Sequence, residues 1–232
     1  MPDIVNTSAA QNYSKNLFEM HPNYRPTQSL FIDFEGSRGH ERILSLYWPQ
    51  LAGDLRFELL WRGWGDADLT TACLTELLME MSCDPSRLKW ITVFSGGEEQ
   101  PNERLRFEDL FGSDFFPQAE WVDLHRVMRN SWMLRRAVRA ARWARSTIGE
   151  QRAVNNLENL EYQFGYVRPR GIRGHNYQHD DGTSGGMHVL DREQELYSNS
   201  ANLFDDQELI DYCRWDVETM FRITRWCEKN LR

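Results

Sequence analysis

Three β-prone runs stand one after another near the start of the chain, and they constrain the fold more than any other feature. Ser29 to Glu35 (SLFIDFE), Ile43 to Trp48 (ILSLYW) and Leu55 to Trp61 (LRFELLW) are separated only by short Gly-, Pro- and Asp-containing breaks. Runs so placed pair with their neighbours as an antiparallel meander. The pattern then changes period. Asp68 to Ser82 carries Leu69, Ala72, Cys73, Leu77, Leu78 and Met81 at helical spacing behind a polar start that can cap it. Leu88 to Phe94 is an apolar strand, Glu99 to Phe111 a helix with Pro101 in its first turn, and Trp121 to His125 a further short strand. The order βββαβαβ predicts an α/β domain: a mixed sheet, antiparallel at the meander and extended by α/β units, with helices on its faces.

Flanking segments complete one expected domain over 29–232. Residues 1–28 are polar, with Pro22, Asn23 and Pro26 towards their end, and read as an N-terminal arm. Ser131 to Ile148 and Asn155 to Tyr166 read as helices, the second stopping at Gly165. A glycine-rich polar stretch over 167–203 reads as a long loop, and Asp205 to Leu231 as a closing amphipathic helix.

Composition narrows the setting. No run approaches a membrane span, residues 1–20 lack the basic start and apolar run of a secretory leader, and the four cysteines form no C-x-x-C pair. Reduced thiols and a cytoplasmic location are expected, with no membrane partner and no structural zinc. The net charge of −8 weighs against a polyanionic partner, yet eight arginines and a single acid, Glu150, lie between Arg126 and Arg152. That local basic patch, with Arg135, Arg139 and Arg142 on the helix and Arg168 and Arg170 beyond it, supplies candidate phosphate contacts. No Gly-x-x-x-x-Gly-Lys or Gly-x-Gly-x-x-Gly occurs, so nucleotide-cofactor binding has no support.

Two short motifs carry chemistry. Asp33 and Glu35 lie two apart on the first strand and therefore share one face. Paired carboxylates at the end of an apolar strand are costly unless cations or donors neutralise them, although a solvent-facing acidic pair has the same pattern. Near the C-terminus, Tyr212 and Asp216 are four apart and stack on one helical face. A carboxylate there can ligate a cation while the phenol orients a water, and a tyrosine donating to a helix-surface aspartate is the plainer alternative. Loop residues His175 and His179, followed by Asp180 and Asp181, have ligand-like spacing but are expected to border a substrate groove.

Together, Asp-x-Glu on the first strand and Tyr-x-x-x-Asp on the last helix resemble the DEDDy group of 3′–5′ exonucleases in the ribonuclease H-like superfamily. The surrounding words are similar to its predicted YprB-type members: Asn156-Leu157-Glu158-Asn159-Leu160-Glu161 with Gly165, then Tyr212-Cys213-Arg214-Trp215-Asp216-Val217. The resemblance runs in order from about Ser29 to Trp226 and implies a ribonuclease H-like fold that hydrolyses phosphodiesters of single-stranded DNA or RNA, or their 3′ ends. It implies Asp33, Glu35, Asp216 and one further acid as ligands of two Mg²⁺ or Mn²⁺ ions, with Tyr212 positioning the attacking water. The further acid is expected just after the strand Trp90 to Phe94, where Glu99 is favoured and Glu98 is the alternative register. Asp123, in Val122-Asp123-Leu124, is a group behind the ligands, an alternative ligand, or simply a cap for the next turn. The alternative to an enzyme is an impaired ribonuclease H-like module that binds nucleic acid or serves as a scaffold.

Overall fold

The computed structural model describes residues 7–37, 40–50, 56–62, 69–95, 103–140, 157–168, 189–199 and 202–231. Five strands form one mixed sheet: β1 (Ser29–Ser37), β2 (His40–Trp48), β3 (Arg56–Trp61), β4 (Trp90–Val93) and β5 (Glu120–Asp123), in the order β3-β2-β1-β4-β5. The meander is antiparallel, with Phe31 opposite Tyr47 and Leu44 opposite Leu60, whereas β4 and β5 are added parallel to β1, with Leu30 opposite Ile91 and Ile91 opposite Trp121. The expected α/β class, a mixed sheet with helices on its faces and an antiparallel meander at one end, is therefore present.

Alternation along β1 sorts its side chains onto two faces. Leu30, Ile32 and Phe34 enter a core shared with Leu44, Leu46, Ile91 and Val93, closed by α2 (Thr71–Glu80) and α3 (Glu103–Phe111). Thr70 caps α2 by accepting from the Cys73 N–H, and Ser82 (φ +53°) ends it in the left-handed turn that returns Cys83 N–H to Leu78 C=O at 2.8 Å. Phe31 points the other way, into a core with Tyr47, Val122, Val217, Met220 and Ile223. That face is covered by α4 (Leu124–Asn130), α5 (Trp132–Ala140), α6 (Leu157–Gln163) and the long α8 (Gln207–Leu231), with α7 (Val189–Ser198) beside the meander.

The N-terminal segment differs from the expected arm. Thr7–Met20 is a helix, α1, whose Ala9, Ala10, Tyr13 and Leu17 are buried against α8, α5 and α4. These residues form an apolar stripe at helical spacing, narrow because two alanines make half of it and diluted by Ser, Gln and Asn. Tyr13 fixes the helix in place: its hydroxyl donates to Leu124 C=O at 3.3 Å and its ring meets Phe164 edge-on at 5.6 Å. Two further boundaries shift. The strand expected through His125 stops at Asp123, whose carboxylate accepts from His125 N–H at 2.9 Å and caps α4. The loop expected over 167–203 contains α7 at Val189–Ser198, whose first turn is tied by an Arg192–Asp206 ion pair to the residue just ahead of α8; residues 169–188 and 200–201 of it lie outside the described residues. All four cysteines are unpaired, three of them buried. Among the described residues no helix is long and apolar enough to cross a membrane.

Candidate metal centre

Asp33 and Glu35 continue the face of β1 that Phe31 begins, and α8 lies along that face. The two elements keep step. The strand advances about 13 Å from Phe31 to Glu35 at ~3.3 Å per residue, and the helix about 13.5 Å from Phe221 to Tyr212 at ~1.5 Å per residue. Phe31 meets Phe221 edge-on at 5.6 Å. With that contact fixed, the antiparallel run brings Asp216 level with Asp33 and Tyr212 level with Glu35. Asp33, Glu35 and Asp216 accordingly converge, each offering a carboxylate oxygen within 4.8 Å of the others; among the described residues this is the group of acids, histidines and cysteines placed to hold an ion.

The cluster is electrostatically uncomfortable without a cation. Burial, then the charge of Glu103, pushes the Asp33 carboxyl up to about 7, while a hydrogen bond shared with Glu35 pulls the other way. Burial also holds Asp216 well above the usual carboxylate range despite the neighbouring Arg168, with Asp33 and Glu161 adding to the rise. Acids forced together in a low-dielectric site either keep protons or take a cation. An all-oxygen, all-carboxylate donor set is one that Mg²⁺ or Mn²⁺ accepts, so the residues present fit the expected ions.

Glu103 is the acid that sequence reasoning missed. It stands in the first turn of α3, is 7% exposed, and its own carboxyl is raised to about 7 by burial against the pull of Arg106. Past Phe31 the pairing of β1 with β4 ends, and the strand edge is met by α3 instead: Arg106 donates to Phe34 C=O at 3.4 Å, and Ser95 Oγ accepts from Glu103 N–H at 3.4 Å. Glu103 therefore occupies the crevice at the carboxyl ends of β1 and β4, the place where open α/β sheets assemble sites. Its position opening a helix was the available signal, obscured by the glycine-rich stretch that lengthens the connection from β4. Glu98 and Glu99, expected in this role, lie outside the described residues.

A bulge shapes the other side. Glu35 pairs with Ile43 but Gly36 with Glu41, so Arg42 is the extra residue of β2. One added residue reverses the facing of everything before it. Glu41 consequently turns towards Arg106, at 3.8 Å, rather than following Ile43 to the α8 side, and Arg42 reaches Gln194 of α7 at 2.9 Å.

The remaining predicted residues divide. Tyr212 is in place beside the cluster; burial, followed by Asp216 and Glu35, raises its pKa well above that of a free phenol, so it keeps its proton at neutral pH. Asp123 caps α4 and also accepts from Ser95 N–H at 3.2 Å, which ties the ends of β4 and β5 behind Glu103. Arg139 is exposed and Arg135 half-buried on α5, whereas Arg142, Arg170 and the loop group His175, His179, Asp180 and Asp181 lie outside the described residues. Arg168 is not a surface arginine reaching for phosphate. It is 4% exposed, forks onto Glu161 with Nε and Nη2 both at 2.7 Å, and its Nη2 also donates to Asp216 Oδ1. Its guanidinium sits 5.2 Å from the centre of the Tyr212 ring.

Local geometry explains how Arg168 gets there. Helix α6 ends with Gly165 at φ +77°, Gly165 N–H returning to Tyr162 C=O at 2.8 Å and Tyr166 N–H to Glu161 C=O at 3.0 Å. This closure requires a left-handed residue, which glycine adopts without strain. It folds the chain back on the helix end, so that Arg168 meets the Glu161 carboxylate.

No protein-family model matches this chain, and neither the curated proteins nor the solved structures contain a significant match.

Proposed function

We propose that this chain is a divalent-metal-dependent nuclease of the ribonuclease H-like fold, acting as a 3′–5′ exonuclease on single-stranded DNA or RNA. One observation carries the reading: Asp33 and Glu35 from the first strand and Asp216 from the last helix meet within 4.8 Å. The mixed sheet with an antiparallel meander and two parallel additions is compatible with that fold. Mg²⁺ or Mn²⁺ held by these carboxylates would supply charge neutralisation at the pentacovalent phosphorus and a lowered proton affinity for water. The protein's own part is positional. Asp33, Glu35 and Asp216 hold the ligand oxygens, Glu103 adds a further negative charge from the α3 side that favours a cation there, and the protonated Tyr212 hydroxyl orients the attacking water for in-line displacement of the 3′ oxygen. Exposed Arg136 and Arg139 of α5 offer the phosphate contacts that a net acidic protein needs.

The test is a degradation assay on 5′-labelled single-stranded DNA and RNA with Mn²⁺. Stepwise shortening that disappears with chelator and with Asp216→Asn supports the proposal; equal activity of Asp216→Asn ends it.

A second reading is a non-catalytic nucleic-acid-binding or scaffold module of the same fold. The observation in its favour is the Arg168–Asp216 ion pair, which satisfies one proposed ligand internally. Calorimetry with Mn²⁺ separates the two, since a scaffold takes up no ion at the cluster.

A further inference from the structure

We propose that Arg168 is a built-in positive charge of the metal centre, a positioning residue that occupies one side of Asp216 and limits the carboxylate cluster to a single divalent ion. The inference rests on the metal-dependent reading above and changes its expected complement from two ions to one ion and one guanidinium.

Position is the first argument. Asp33, Glu35 and Asp216 each offer one oxygen to a common point, which suffices for three ligands of one ion. Arg168 Nη2 already donates to Asp216 Oδ1, so one of that carboxylate's two oxygens is engaged by a guanidinium, and a second ion drawing on Asp216 would have to compete with it. Anchoring is the second. Both Nε and Nη2 are forked onto Glu161 at 2.7 Å, the side chain is 4% exposed, and the Tyr212 ring backs the guanidinium at 5.2 Å. A planar bidentate fork held on three sides is fixed rather than poised to swing away. Charge is the third. A guanidinium is ionised at any ordinary pH, so Arg168, paired with Glu161 on one side and Asp216 on the other, presents a permanent positive charge to any incoming ion. Glu161 acquires a role by the same argument: from the second turn of α6 it holds the arginine whose Nη2, part of that fork, also meets Asp216.

The experiment is Mn²⁺ binding to the full chain, followed by calorimetry and by the electron paramagnetic resonance spectrum of the bound ion, neither of which reads activity. The wild type is expected to take one Mn²⁺ with a mononuclear spectrum. Arg168→Gln is expected to bind its first Mn²⁺ about tenfold more tightly, because a nearby like charge is gone, and to admit a second that gives a spin-coupled signal. Two coupled ions in the wild type, or unchanged stoichiometry and affinity in a folded Arg168→Gln, would overturn the proposal. No ion at all in the wild type would instead overturn the metal-dependent reading. Should Arg168→Gln not fold, Arg168→Lys keeps the charge without the fork and is expected to retain a single ion, and the wild-type stoichiometry still decides the question.

Discussion

Arg168 donates to Asp216 across 48 residues of sequence, joining the turn after α6 to the middle of α8 at the edge of the acid cluster. The pair is buried on both sides, 3% and 6% exposed in the side chains, with Glu161 completing the triad at 1%. Removing one partner of a buried ion pair leaves an uncompensated charge, at about 3–5 kcal/mol. Glu161→Ala is therefore expected to lower the unfolding free energy by that amount in urea titrations. A loss under about 1 kcal/mol would mean that the fork is not formed in solution.

The raised carboxyls give stability a signed dependence on pH in the absence of metal. Asp33 has an unfolded value of 3.8 and a folded value of about 7, so the folded chain holds a proton that the unfolded chain has released between those limits. Its contribution is fully present below pH 3.8 and is lost as pH rises through about 7. Asp33→Asn mimics the protonated form and should match the wild type in melting temperature near pH 4 but exceed it at pH 8. Mn²⁺ should stabilise the wild type at pH 8 and leave the variant unchanged. A difference between the two proteins that does not vary with pH would show that Asp33 titrates normally.

Tyr212→Phe keeps the ring that backs Arg168 and removes only the hydroxyl. The expected result is a fall in kcat of about a hundredfold, within the range for a lost positioning or acid–base group, with Mn²⁺ affinity and melting temperature unchanged. An unaltered kcat would remove Tyr212 from the chemistry.

Asp123→Ala tests the cap. It strips the acceptor from both His125 N–H and Ser95 N–H, so a destabilisation of about 1–2 kcal/mol is expected in thermal unfolding. Asp123→Asn should recover most of it, because an amide oxygen still accepts.

The strands and the two outer motifs were legible because they follow local rules. Alternation placed β1, and the i, i+2 and i, i+4 spacings put Asp33 with Glu35 and Tyr212 with Asp216 on shared faces. What was not legible depends on long-range closure. Glu103 enters the site because pairing between β1 and β4 stops at Phe31 and leaves an edge for α3 to cover, which no spacing in the sequence reports. Arg168 read as a loop cation because its burial follows from the reversal at Gly165 and from the convergence of α6 with α8. α1 was hidden for a simpler reason: alanines bury little area each, and the stripe becomes a core only when α4, α5 and α8 close around it.

The edge-on rings of Phe31 and Phe221 act as a common zero mark for two rulers of different gauge, one graduated by strand and the other by helix. A residue inserted into α8 between Tyr212 and Phe221 would turn Tyr212 away from β1 by roughly a quarter revolution while leaving the rings below it seated. The foundation would persist and the upper tier would be dismantled, so mutational tolerance should change abruptly along one continuous helix.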